Sequence, residues 1–159
     1  MSRNDWRFSN GEYVCGIRSA AVIIRGTKLL VQREACGNEY ALPGGHIKIG
    51  ESTESGLIRE FAEETGARIV CRKLLWTEES RFSCCGKMYH YITFYYLADP
   101  VGGSDIPDTG SPFPQMDNSD VLLEWIPVSR LGNITIHPSF LKDEIGCTDG
   151  TLRHFVSIE

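Results

Sequence analysis

The spacing of glycine and glutamate between Gly45 and Gly66 limits this chain more than any other feature. It reads Gly45-x5-Glu51-x7-Arg59-Glu60-Phe61-x-Glu63-Glu64-x-Gly66, introduced by Leu42-Pro43-Gly44. At about 3.6 residues per turn, Glu60, Glu63 and Glu64 are i, i+3 and i+4 neighbours on one edge of a helix. Like charges at those spacings destabilise a bare helix by about 0.2–0.5 kcal/mol per pair, so helix stability is not what they serve. A hard cation that takes oxygen ligands turns such repulsion into coordination. The opposite face carries Leu57, Ile58, Phe61 and Ala62, an apolar stripe expected to face a core. Ser52 suits an N-cap, and Gly66 sits where a left-handed residue ends a helix. A glycine-rich loop followed by a helix of about three turns is therefore expected. Gly44 and Gly45 let the loop backbone approach the helix start, where a carbonyl becomes available to an ion. Arg59 reaches Glu63 at i+4 or Glu51 from the loop, and either pairing fixes a carboxylate in place.

This segment resembles the Nudix box, Gly-x5-Glu-x7-Arg-Glu-U-x-Glu-Glu-x-Gly-U, where U is a bulky aliphatic residue. Every fixed position matches; Phe61 stands at the first U, and the small Ala67 at the last is the one departure. Tyr40-Ala41-Leu42-Pro43-Gly44-Gly45 before it and Glu124-Trp125-Ile126-Pro127 after it look like the family's usual surroundings. The resemblance implies an α/β fold, a Nudix-type α/β/α sandwich in which a mixed central sheet lies between helices. The box spans 45–67 within one expected domain, 1–159, whose core runs from roughly 15 to 150.

The resemblance also implies metal-dependent hydrolysis of a diphosphate linkage in a nucleoside diphosphate joined to another moiety, such as a nucleoside triphosphate or a nucleotide sugar. Mg²⁺ or Mn²⁺ is the implied cofactor, with Glu60 and Glu64 as principal ligands, Glu63 sharing the shell and Gly44 offering its carbonyl. Glu60, Glu63, Arg59 and Glu51 make up the implied catalytic set. The general base varies across the family: Glu60 or Glu63 is open, as are the later acids Asp117, Asp120 and Glu124. The alternative is a non-catalytic Nudix-fold sensor that binds a nucleotide and regulates a partner. An intact set of box acids counts against it. Isomerisation on the same scaffold calls for a catalytic cysteine in a recognisable setting, which none of the cysteines has.

Composition is consistent with that reading. A chain of 159 residues is about one domain and buries roughly two-thirds of its surface. A net charge of −5 disfavours binding to the backbone of long nucleic acids, but not to a small nucleotide whose charge a metal handles. No run approaches about 18 apolar residues, so no membrane span is expected. Met1 to Asn10 hold no apolar signal core, so a cytoplasmic location is expected. The six cysteines include no Cys-x-x-Cys pair and are expected to be reduced thiols, with Cys84-Cys85 in a hairpin turn beside Gly86. A homodimer follows from family habit alone.

Ile17–Ile24 and Lys28–Gln32, around Arg25-Gly26-Thr27, read as a hairpin. Ile69–Trp76 and Met88–Ala98 read as strands, the second rich in Tyr, Ile, Phe and Thr. Pro100–Asp120, with four prolines and Gly102, Gly103 and Gly110, reads as a long functional or mobile loop. Val121–Ile126 reads as a strand and Pro138–Ile145 as a short helix. Trp76, Phe82, Tyr89 and Tyr91 are able to stack a base, although strand aromatics belong more often to a core. Arg18, Arg33 and Arg81 are able to meet phosphates. The favoured substrate-binding residues are Arg33, just before the box, together with Tyr89 and Glu124. The substrate itself is not legible, because residue markers of the known subgroups are missing after the box.

Overall fold

The computed structural model describes residues 4–102 and 105–159. Met1 to Arg3 of the opening stretch, and Gly103 of the long loop, lie outside the described residues. The chain runs through β1 (Arg7–Asn10), β2 (Tyr13–Val22), β3 (Ile24–Arg25), β4 (Lys28–Glu34), β5 (Glu39–Ala41) and β6 (Gly44–His46) into α1 (Thr53–Thr65). It continues through β7 (Ile69–Cys84), β8 (Lys87–Pro100), β9 (Phe113–Pro114), β10 (Val121–Pro127), a 3₁₀ turn (Val128–Asn133), β11 (Thr135–His137), α2 (Leu141–Glu144) and β12 (Arg153–Ile158).

Two mixed sheets form. In the first the order is β1-β2-β8-β7-β12, with β6 added to β2; in the second it is β11-β5-β4-β10-β9, with β3 added to β4. In the first sheet parallel pairs (β2 with β8, β7 with β12) alternate with antiparallel ones; in the second, β5 with β11 is parallel and the other pairs are antiparallel. The α/β class holds, with the expected central sheet divided into two. The expected hairpin at Arg25-Gly26-Thr27 is present, Gly26 turning with φ +61°. The expected strand at Ile69 runs on to Cys84 and pairs with β8 throughout, through two register shifts. Cys85 (φ +51°) and Gly86 (φ +76°) make the two-residue turn between them, a left-handed pair that matches the twist of the strands. All six cysteines are free. The expected C-terminal helix shrinks to the four residues of α2. Among the described residues no helix is long and apolar enough to cross a membrane.

Strand alternation sends side chains into two apolar layers. Ala20, Val22, Leu29 and Val31 meet Trp76, Tyr95, Ile126 and Leu141 in one layer, so Trp76 belongs to the core. Ala21, Ile23, Leu30 and Leu123 meet Leu57 and Phe61 of α1 in the other, with Ala67 and Ile69. The small Ala67 is only 2% exposed and closes that packing without a bulky side chain.

The α1 helix starts and stops as its ends dictate. Ser52 Oγ accepts from the Ser55 amide, and Gly66 ends the helix with φ +72°. Its buried face differs from the expected stripe. Gly56, Leu57, Phe61 and Glu64 are buried, whereas Ala62 is exposed and Ile58 only partly covered. The inward face is thus rotated toward the acidic edge. Gly56 permits this, because a Cβ there would lie 2.6 Å from Ile47 Cδ1.

The long loop is anchored rather than free. Ile106 is fully buried, Arg25 and Lys28 pair with Asp105 and Asp108, and Trp125 donates to the Pro107 carbonyl.

Candidate active site

The end of β6, the loop after it, the acidic edge of α1 and the turn between β9 and β10 supply most of an acidic cleft, and Asp5, Arg18 of β2 and Gln32 of β4 complete its lining. The β2 strand holds β6 through the pairs Ser19 to Gly45 and Ala20 to Gly44. Their contact is so close that a Cβ on Gly44 would lie 2.1 Å from the Ser19 carbonyl oxygen. At Gly45 the obstacle is different: a Cβ would lie 2.1 Å from Glu60 Oε2. The missing side chain is therefore the space into which a box carboxylate projects.

Arg59 organises the acids. Its Nε and Nη2 donate to Glu51 at 2.6 and 3.0 Å, and Nη1 donates to Glu60 at 2.6 Å and Glu63 at 3.2 Å. Nη2 also meets the His46 carbonyl, which ties α1 to β6. The two pairings expected as alternatives occur together. The Lys48 amide adds a bond to Glu51. Hydrogen bonding from Arg59 holds the Glu51 carboxyl below the usual range, and the same bond raises the Arg59 guanidinium further. Glu51 is thus a fixed anion that positions Arg59.

Glu60 and Glu64 differ from Glu51. Burial raises Glu60 despite Arg59 beside it. Burial, then the charges of Glu60 and Asp117, push Glu64 up to about 8. Glu64 is 6% exposed, and its Oε2 has no hydrogen-bond partner. Glu63 lies further out, its side chain 47% exposed between Arg59 and Lys48. Gly44, Glu60, Glu63 and Glu64 all line the cleft, of about 450 Å³, together with Arg18, His46, Lys48 and Asp117.

Among the described residues no three His, Cys, Asp or Glu side chains are arranged to hold an ion as they stand. Arg59 occupies Glu60 Oε1 and Glu63 Oε2. The donor set still fits a hard divalent cation. A buried, unpartnered carboxylate oxygen on Glu64 and the glycine cradle around Glu60 Oε2 are oxygen donors without protein partners.

Asp117 is the one later acid brought to these groups. The Met116 amide bonds the Glu64 carbonyl at 2.7 Å and the Gln115 amide bonds the Val121 carbonyl, so the turn is locked to the end of α1. Asp120 and Glu124 stay outside the cleft lining. Glu124 accepts from the Tyr40 hydroxyl and lies 3.8 Å from Arg33. Arg33 caps the carbonyls of Glu34, Ala35 and Gly37. Tyr89 stacks on Phe82 at 5.2 Å. The structure therefore does not bring Arg33, Tyr89 or Glu124 to the acids: internal bonds and stacking engage all three.

A second cleft, of about 680 Å³, opens between the two sheets, and Arg18 lines both. Phe82, Tyr91 and Thr93 come from the first sheet, and Glu39, Ala41 and His137 from the second. Sequence reading missed Asp5, His46, Lys48, Gln32 and Gln115 in the acidic cleft. Gln32 had one signal, a polar residue ending the Leu29-Leu30-Val31 run; His46 and Lys48 fall in the variable positions between Gly45 and Glu51.

A mixed α/β sandwich that sets a glycine cradle against a carboxylate-edged helix defines the class of protein. Residues 17–143 match the NUDIX domain, and the chain belongs to that family. It is 25% identical over 142 residues to an uncharacterized Nudix hydrolase, YvcI, of Bacillus subtilis (strain 168), covering 82% of this chain and 81% of that protein. It is 34% identical over 64 residues to an ADP-ribose pyrophosphatase of Methanocaldococcus jannaschii, covering 40% of this chain and 37% of that one. The chain spans about a third of the length of several curated relatives it matches. The solved MutT protein of Bacillus halodurans shares the fold, with a TM-score of 0.64 at 16% identity over 89% of this chain and 90% of that one.

Proposed function

We propose that this protein hydrolyses a diphosphate linkage in a nucleoside diphosphate joined to another moiety, using Mg²⁺ or Mn²⁺. One observation carries the reading: a buried Glu64 carboxylate with an unpartnered oxygen, beside Glu60 in its glycine cradle. Glu60 and Glu64 would hold the cation, with Glu63 at the rim and Gly44 lining the same cleft. A bound cation neutralises phosphate charge and acidifies water. Arg59, anchored by Glu51, sets the orientation of Glu60. Lys48 supplies positive charge for the outgoing phosphate. Asp117 takes a proton from the attacking water at its carboxylate; it lines the cleft, whereas Asp120 and Glu124 do not. The protein acts as one domain, on small nucleotides in the cytoplasm. Membership of a family with relatives named for MutT and ADP-ribose pyrophosphatase supports the reaction class.

The test is a substrate panel with Mg²⁺: canonical and oxidised nucleoside triphosphates, ADP-ribose, nucleotide sugars, dinucleoside polyphosphates, NADH and coenzyme A. One compound should stand out, with turnover abolished by EDTA and reduced by orders of magnitude in Glu64→Gln while circular dichroism stays unchanged. Turnover that survives EDTA and this substitution would refute the reading.

A further inference from the structure

Two arginines of the first sheet, Arg7 on β1 and Arg18 on β2, are not part of the acidic network that Arg59 organises. Arg18, on β2, lies at the junction of the acidic cleft and the inter-sheet cleft, and lines both. Arg7 is delivered by β1, where it pairs with Gly16 two residues before Arg18. Because paired and alternate strand residues share a face, both side chains project on the same side of the sheet.

They converge on Tyr91. The positive charges of Arg7 and Arg18 both act on its hydroxyl, and the Arg18 guanidinium lies 5.6 Å from its ring centroid. His46 packs edge-on against the same ring at 5.4 Å. Gly16 makes the crowding possible: a Cβ there would lie 3.3 Å from Tyr91 and 3.4 Å from His46.

Neither arginine has a carboxylate partner within ion-pair distance among the described residues, and the Nε of each is buried without a hydrogen-bond acceptor. Arg25, Arg33, Arg59, Arg72 and Arg153, by contrast, all have acidic partners. Two like charges gathered on one tyrosine with donors unused cost stability unless an anion arrives. A guanidinium fork matches phosphate oxygens in geometry and charge.

We propose that Arg7 and Arg18 form a phosphate-binding subsite between the two clefts, holding a substrate phosphate that the carboxylate-bound cation does not neutralise. This rests on the hydrolase reading for the identity of the ligand, but the subsite is defined by its own residues. Arg7 lies before the family-matched segment 17–143, so β1 adds a binding residue to the matched domain. The arrangement favours substrates whose phosphate chain runs from the acidic cleft past Arg18 toward the aromatic wall of Tyr91 and Phe82.

The test is calorimetric titration of the full chain with inorganic tripolyphosphate in EDTA, which removes the metal route. Wild-type protein should bind, and Arg7→Ala and Arg18→Ala should each weaken binding by about tenfold or more. Arg72→Ala, an exposed arginine already paired with Asp99, should bind as wild type. Arg7→Gln and Arg18→Gln keep most of the packing volume and should show the same loss with near-native thermal unfolding, which separates lost binding from misfolding. Equal affinity in wild type, Arg7→Gln and Arg18→Gln, or no binding by wild type, overturns the subsite. If those variants lose tripolyphosphate while no panel compound is hydrolysed, the subsite stands and the hydrolase reading falls. If binding is unaffected but Glu64→Gln still abolishes turnover, the hydrolase reading stands and the subsite falls.

Discussion

Arg59 shows how one side chain sets the state of several acids. It joins Glu51 from the loop to Glu60 and Glu63 on α1, and it reaches the His46 carbonyl as well. Lysine carries the same charge but cannot present a planar fork to two oxygens of Glu51 while bonding Glu60. Arg59→Lys should therefore destabilise the fold by about 2–3 kcal/mol, the scale of lost bonds to charged groups, which lowers Tm by about 4–12 °C for a chain of this size. The Glu51 carboxyl is held below its ordinary value by Arg59, so its contribution exists above that ordinary value and disappears as pH falls through the lowered one. The stability gap between wild type and Arg59→Lys should close in acid. Thermal melts from pH 3 to 7 check it, and a gap that widens in acid would contradict the assignment of Arg59 to Glu51. The sequence made both partners of Arg59 visible as alternatives, i+4 and loop, yet could not show that a five-donor guanidinium satisfies both together.

At the level of elements, two adjacent glycines play different parts, and the difference is measurable. A methyl on Gly44 meets backbone, the Ser19 carbonyl oxygen at 2.1 Å and Ala20 Cα at 2.6 Å. Neither can move without breaking the pairing of β6 with β2. Gly44→Ala should cost about 3 kcal/mol, the upper range for overpacking. A methyl on Gly45 meets the tip of the Glu60 side chain, which can swing away. Gly45→Ala should leave Tm within a few degrees of wild type but displace Glu60 and cut hydrolysis sharply. Denaturant melts and turnover of the pair decide this; equal loss of stability in both would show that Gly45 serves packing. The box segment was legible because capping and periodicity are local: Ser52 and Gly66 sit at the helix ends as expected. Its buried face was not legible to one position, because Gly56 and Glu64 face inward for reasons supplied by Ile47 and the cleft. Strand β7 extends past Trp76 for a similar reason. Glu78 and Ser80 follow the strand period, but their pairing with β8 and β12 is long-range, and only the assembled sheet reveals that Glu78 is buried with Tyr95 and Ser157 as partners.

For the molecule as a whole, the acidic cleft couples cation binding, pH and stability. Two apolar layers hold the sheets and α1 together, and Glu64 is the acid that α1 turns into the protein rather than toward solvent. The loop partners that would have placed Asp117 beside it, Met116 with the Glu64 carbonyl and Gln115 with Val121, are backbone contacts that no residue pattern announces. Burial raises Glu64 to about 8, above its ordinary 4.5. A raised carboxyl contributes stability below its ordinary value and loses it as pH climbs through the raised one, because the folded state then holds a buried charge. The metal-free protein should accordingly lose stability between about pH 4.5 and 8, and Glu64→Gln should flatten that decline, melting a few degrees above wild type at the alkaline end. A divalent cation prefers the ionised carboxylate, so binding at pH 6 must expel a proton that is already gone at pH 9. Mg²⁺ should therefore raise the wild-type Tm more at pH 9 than at pH 6 and leave Glu64→Gln nearly unmoved at both. Scanning fluorimetry with EDTA or Mg²⁺ across this range measures all four quantities. A Mg²⁺ shift in wild type that is independent of pH, or one that persists undiminished in Glu64→Gln, would remove Glu64 from the cation site, whereas the crossed pattern would tie cation binding to the buried carboxylate.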